Sequence, residues 1–233
     1  MFKKTINTLS GKLSISIPST IQEITIGQVI EMQERPLLTD LEALSILSGA
    51  PLAELQNIKK IDEVYVFGEI ILLLSGQLKS LYSNEQPPKQ ITFNFINGIK
   101  TVPIPRNLSV EPVGAFFAAR EIIAGEIGEH IRKYGENEWQ STFNPSLKTC
   151  CQVLAHYFYC GATGKLYNEY DAEEFNSEIK KLRVMEALPI AKHFFHSYPN
   201  LLKVKTGFLN RLRQRWKKKR ESALLKSLNI SIQ

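Results

Sequence analysis

The hydrophobic pattern is densest between Asn144 and Cys160, which reads NPSLKTCCQVLAHYFYC. The polar residues Lys148, Gln152 and His156 fall four apart and share one narrow stripe of a helix. Nearly everything else is apolar, from Leu147 through Cys150, Cys151, Val153, Leu154 and Ala155 to Tyr157, Phe158 and Tyr159. Asn144 is placed to cap this helix, Pro145 suits its first position, and Gly161 suits a left-handed stop. A helix apolar around most of its girth must be covered on most sides. The stretch is therefore expected to be the central core helix or the centre of a subunit contact.

The same reading carries along the rest of the chain. Leu13-Ser-Ile-Ser-Ile17 alternates with the period of a half-buried strand, ended by Pro18. Thr25 caps a short helix through Ile26, Val29, Ile30 and Met32, closed by Pro36. Thr39 or Asp40 caps the next, with Leu41, Leu44, Ile46 and Leu47 inside and Gly49 and Pro51 at its end. A short turn of helix from Pro51 to Ile58 leads to Asp62 and a longer helix, whose apolar face is Val64, Phe67, Ile70, Ile71, Leu74 and Leu78. Ser83-Asn-Glu-Gln-Pro-Pro-Lys89 breaks the pattern.

Two alternating runs, Ile91–Ile96 and Ile99–Ile104, then flank Asn97-Gly98, a strong two-residue hairpin turn. Pairing outward from that turn sets Phe95 opposite Lys100, Phe93 opposite Val102 and Ile91 opposite Ile104. One face is then apolar, and Phe93, Phe95, Val102 and Ile104 become candidates for an oligomer contact. A two-stranded hairpin is marginal alone, so that face needs either the body or a neighbouring subunit to cover it.

Ser109 begins a helix expected to run to about Tyr134, with Val113, Phe116, Phe117, Ile123, Ile127 and Ile131 along one side. After the central helix, Asp171 with Glu174 resembles a capping box for a helix burying Phe175, Ile179 and Leu182. Pro189 starts or kinks the next helix, which carries Phe194 and Phe195, and Pro199 stops it. A last helix, roughly 207–228, lines up Phe208, Leu209, Leu212, Trp216, Leu224 and Leu228. The fold class is mainly α: a helical domain with one β-hairpin at about 91–104, an N-terminal strand, and a basic C-terminal helix. The breaks suggest three regions: 1–82, helical; 83–202, hairpin plus core helices; and 203–233, a basic helical arm.

Charge changes this picture at one end. From Lys203 to Lys226 there are ten cations and one acid, a local net of +9. The other 19 basic and 22 acidic residues net −3, so a mildly acidic body carries a strongly basic arm. Arg211, Arg213, Arg215, Lys217, Lys218, Lys219 and Arg220 crowd within ten residues. Such a run repels itself and calls for an anionic partner, whether nucleic acid, a membrane surface or an acidic protein patch. The longest apolar run, Ile70–Leu74, falls far short of the roughly 20 residues a bilayer needs, and no apolar segment follows the basic start, so neither a membrane span nor a secretory signal is expected. Three cysteines, all in the apolar helix, form no disulfide framework and point to a reducing setting such as a cytoplasm.

No catalytic signature emerges. Gly161-Ala-Thr-Gly-Lys165 is too short for a phosphate loop, has Leu166 where Ser or Thr must hold magnesium, and follows a helix rather than a strand. His193 and His196 lack further ligands at zinc-like spacing. His156 and Cys160 share a helix face, but no third group orients them as a nucleophilic pair. Glu126 and Glu129, and Glu173 and Glu174, read as helix-surface carboxylates. No catalytic residue, metal site or cofactor is expected.

Two stretches carry a resemblance. Ile24-Thr-Ile-Gly-Gln28 with Glu31-Met32, followed by Thr39-Asp-Leu-Glu-Ala-Leu-Ser-Ile-Leu-Ser-Gly49 and Pro51-Leu-Ala-Glu54, is similar to the front half of small tailed-phage structural proteins, such as tail-assembly chaperones and connector-ring components. Phe143-Asn-Pro145 through Glu186-Ala-Leu-Pro189 to Phe194-Phe195 resembles proteins of the crAss-like phages of gut bacteria. The resemblance implies a non-enzymatic virion protein, assembled in the host cytoplasm, that acts as a homo-oligomer. It implies a ring at the head–tail connector or tail, with portal and tail proteins as partners. The basic arm departs from an ordinary chaperone and favours a ring near the DNA exit path. Two alternatives stand beside it: a nucleic-acid-binding protein using residues 203–226, and a tail-assembly chaperone not retained in the virion. An enzyme with dispersed residues around His156, His193 and His196 is the least supported reading.

Overall fold

The computed structural model describes residues 1–78, 81–83, 87–104, 112–135, 139 and 143–202. Its elements, in order, are β1 (Phe2–Thr8), β2 (Gly11–Ile17), α1 (Ile26–Gln33), α2 (Asp40–Ser48), α3 (Leu52–Leu55), α4 (Asp62–Leu78), β3 (Gln90–Phe95), β4 (Gly98–Pro103), α5 (Val113–Tyr134), α6 (Leu147–Thr163), α7 (Glu169–Glu174), α8 (Asn176–Ile179) and α9 (Val184–Leu202). The architecture is mainly α with two small antiparallel hairpins, β1–β2 and β3–β4. Residues Met1–His196 form one unit. The second unit, Ser197–Gln233, is described only to Leu202, as helix.

The first hairpin pairs Phe2 with Ile17 through to Thr8 with Gly11. Its inner face buries Ile6, Ile15 and Ile17. Only the second of these strands was expected. In the first, Lys4 and Thr8 stand on the inward phase beside Phe2 and Ile6, which breaks the apolar alternation. Thr25 and Thr39 each complete a capping box, with Gln28 and Glu42, and Gly49 ends α2 in the left-handed conformation.

Helix α1 ties the front of the unit to its back. Ile26 and Gly27 donate backbone N–H groups to the carbonyls of Leu182 and Lys180, both at 2.9 Å, and Val184 donates to Ile24 at 2.9 Å. A Cβ on Gly27 would lie 2.7 Å from the Lys180 oxygen, so only glycine permits this approach. Residues 1–82 and 83–196 are joined by these bonds within one unit, as well as by the exposed Lys148–Glu34 ion pair.

Helix α6 is the centre of the core, and α5, α7, α8, β4 and α1 pack around it. Between Thr149 and Tyr159 only Gln152 is exposed. Its start lies two residues later, and its end three residues later, than the sequence suggests. Ser146, not Asn144, is the cap and accepts the Thr149 N–H, and Gly164 rather than Gly161 is the left-handed stop. Gly161 has a packing role: a Cβ there would stand 3.0 Å from Val102 Cγ1. Its missing side chain lets β4 lie close on the helix.

Three other boundaries and one buried face differ. The β3–β4 turn uses Ile96 and Asn97, pairing Phe95 with Gly98, Phe93 with Lys100 and Ile91 with Val102. The two-residue slip preserves every residue's face, because side chains alternate with period two. Helix α5 buries Ile123 and Ile127 as expected, but in its first turns Ala115 and Ala119 meet the core while Val113 and Phe117 are exposed. Asn168 caps α7 by accepting the Asp171 N–H, leaving Asp171 free to pair elsewhere. Helix α9 runs through Pro189, and its backbone continues past Pro199. Pro189 is buried, where packing offsets the one hydrogen bond its ring removes.

Candidate interaction surface

Arg211, Arg213, Arg215, Lys217, Lys218, Lys219 and Arg220 lie outside the described residues. The hairpin candidates are described. Phe93 and Val102 are buried, and Phe95 and Ile104 are half-buried. Phe93 packs edge-on against Phe158 at 5.7 Å and against Phe175 at 5.4 Å. Their own chain therefore covers much of the apolar face, while Ile96 and Ile99 of the hairpin are exposed.

Among the described residues, α4 carries several exposed apolar side chains close together. Its core face is Val64, Phe67 and Leu74, with Phe67 edge-on to Phe2 at 5.6 Å. The opposite face is also apolar. Tyr65 is 64% exposed, Leu72 74% and Leu73 58%, and Ile61 precedes them at 64%. Counted by turns, Ile61, Tyr65 and Leu72 fall on one line, flanked by Val66 and Leu73 and interrupted by the exposed Glu69. The expected burial of Ile70, Ile71 and Leu78 is only partial. Between α4 and the α1–α2 pair lies an apolar cavity of about 290 Å³, lined by Val29, Met32, Leu38, Leu47, Ile71 and Leu78 among others.

Within Asp62–Ser83 an 18-residue window has a mean hydropathy of 1.4, long and apolar enough on those counts alone to cross a membrane, and 25% of that window is buried. Run length missed this because Glu69 and Gly68 interrupt the apolar run without polarising the whole helix.

The polar groups of the core serve packing. Glu126 of α5 accepts the Ser146 N–H and the Thr149 hydroxyl, both at 2.8 Å, so it caps the start of α6 across 20 residues of sequence. It is not an idle surface carboxylate, and only the fold brings it there. Nearby, Tyr82 donates to the Pro145 carbonyl at 3.2 Å, and the buried Lys192 ammonium donates to the Tyr82 carbonyl at 2.7 Å. Burial, with Cys150 and Glu126 close by, pushes the Tyr82 hydroxyl up to about 12.

At the other end of α6, His156 is buried and its Nδ1 shares a 2.9 Å hydrogen bond with the Tyr167 hydroxyl. Burial lowers its pKa, against the smaller opposing pull of Glu173 and Glu169. Tyr159 donates to Asp171 at 2.8 Å. No hydrogen bond joins His156 to Cys160 among the described residues. Burial raises the Cys160 thiol and carries Cys151 to about 12, the reverse of what activates a nucleophile. His193 is exposed, and His196 Nδ1 pairs with the Lys192 carbonyl at 2.9 Å. Among the described residues no group of three or more His, Cys, Asp or Glu could hold a metal ion.

Comparison with protein-family models, with curated proteins and with solved structures finds no match for this chain.

Proposed function

We propose that the chain is a non-enzymatic structural subunit that works as a homo-oligomer, and that its setting is the connector or tail of a tailed phage. One observation carries the oligomeric part: the apolar line of Ile61, just before α4, with Tyr65 and Leu72 on it, which the described residues leave exposed. Contiguous exposed apolar surface on a folded unit marks a site of association. A subunit that meets copies of itself has a use for such a face, and closed homo-oligomers are the commonest solution. The phage setting rests on the resemblance of residues 24–54 and 143–195, and portal and tail proteins are its partners there.

The test is mass spectrometry of purified particles from the phage that encodes the chain. A fixed copy number per particle, in a multiple matching the native mass of the isolated protein, is expected. An oligomer absent from particles overturns the virion placement in favour of an assembly chaperone. A monomer absent from particles overturns the whole reading. A second reading has its own observation, the +9 segment 203–226. Binding of duplex DNA by that segment predicts affinity that falls steeply with salt, because each neutralised phosphate releases counterions. Affinity unchanged by truncation before Lys203 contradicts it.

A further inference from the structure

We infer that the apolar line on α4 is the docking seat for the basic C-terminal segment of a second copy. This rests on the oligomeric reading above and specifies its contact. Two features of the seat are in the structure. Its centre is apolar, with Tyr65, Leu72 and Leu73 more than half exposed, and Glu69 stands among them. The helix that builds it is acidic: residues 61–78 hold three acids, Asp62, Glu63 and Glu69, and no Lys or Arg, a net of −3.

The occupant is read from sequence. Residues 203–226 net +9, opposite in sign to the seat. Phe208, Leu209, Leu212 and Trp216 recur at helical spacing, so a helix formed there presents an apolar line between rows of Arg and Lys. This is the pattern of a helix laid in a groove: apolar anchors meet apolar surface while flanking charges set orientation. Length agrees as well. At about 1.5 Å per residue, 207–228 folded as a helix would span roughly 33 Å, against roughly 25 Å for α4. Thirty-one residues follow Leu202, enough to reach beyond the chain they belong to. An arm of one copy on the α4 of the next is a head-to-tail contact, which generates a ring when the rotation closes. Trp216 is the principal anchor, since large aromatics dominate such contacts.

The experiment uses the full chain. One batch carries the photo-crosslinker p-benzoylphenylalanine in place of Trp216. It is mixed with ¹⁵N-labelled unmodified chain, irradiated and digested, and native mass is measured on the unmodified chain in parallel. The expected result is an oligomer in which cross-links reach labelled peptides covering residues 61–78. An oligomer whose cross-links stay within one chain, or land on a labelled peptide elsewhere, overturns the docking and leaves the oligomeric reading standing. A monomer overturns both. As a second arm, Glu69→Lys should lower the cross-link yield several-fold, and Glu69→Lys with Lys217→Glu should restore part of it. An unchanged yield in Glu69→Lys contradicts the charge pairing. Loss of oligomer only on adding lipid vesicles assigns the face to a membrane and overturns the proposal.

Discussion

Helices α4 and α6 are both 17 residues long and both apolar on more than one face, yet α6 buries twelve side chains and α4 buries three. The difference lies in what the rest of the chain supplies. Helix α6 receives α5 on one side, β4 and the aromatic cluster on another, and α1, α7 and α8 on the remainder. Among the described residues, α4 packs its core face on the first hairpin, the Ile21–Glu23 turn and α2, and its opposite face is exposed. Apolarity states that a helix must be covered; it does not state by which molecule. For α6 the cover is its own fold. For α4 it is the strongest pointer to a partner that the described residues contain.

Substitutions on the two helices sharpen that contrast. Phe158→Ala removes a ring that is 1% exposed and packed on Phe93 and Tyr157, and should cost about 3–5 kcal/mol in urea unfolding. A loss below about 1 kcal/mol would break the claim that α6 is the centre of the core. Gly161→Ala is a helix-favouring change by propensity, yet its methyl meets Val102 Cγ1 at 3.0 Å. The expected outcome is a net loss of about 1–2 kcal/mol, relieved when Val102→Ala is added. Stabilisation by the single change would show that the hairpin yields freely. Glu126→Ala should cost about 1 kcal/mol, since it strips the start of α6 of two acceptor contacts.

The next test is one of pH. Burial lowers the His156 pKa below its ordinary 6.5, so the unfolded chain binds this proton more readily than the folded one. The folded state is then favoured fully above pH 6.5, and this contribution is lost as pH falls below it. Unfolding free energy should decline as pH falls below about 6.5, and His156→Gln should flatten that decline. An identical slope in the variant would remove His156 as the cause. The smallest effect belongs to α4: Leu72→Ala should change single-chain stability by less than about 0.5 kcal/mol, because its side chain is largely solvated.

The sequence made local features plain where the signal is local. Thr25, Thr39 and Gly49 announce their helices because a cap needs only a side chain and the next turn. The faces of β3 and β4 were readable even though the turn lies one residue earlier, since a slip of two leaves alternation intact. The density of apolar residues from Leu147 to Tyr159 identified the core helix, while the pair of glycines after it left its end ambiguous. Features set by distant partners were not readable. Glu126 looks like any helix carboxylate until folding brings Ser146 to it. Val113 and Phe117 look like core residues, but Ala115 and Ala119 permit the closer approach to α6 and turn the larger side chains outward. The exposed face of α4 was hidden for the same reason, as periodicity marks an apolar residue without marking what lies opposite.

The central claim is that a second molecule covers α4. Light scattering on the full chain and on the Leu72→Asp/Leu73→Asp variant tests it most directly. The account predicts a native mass that is a multiple of 26.5 kDa for the unmodified chain, and 26.5 kDa for the variant with its circular dichroism unchanged. A mass of 26.5 kDa for the unmodified chain at every concentration would contradict it.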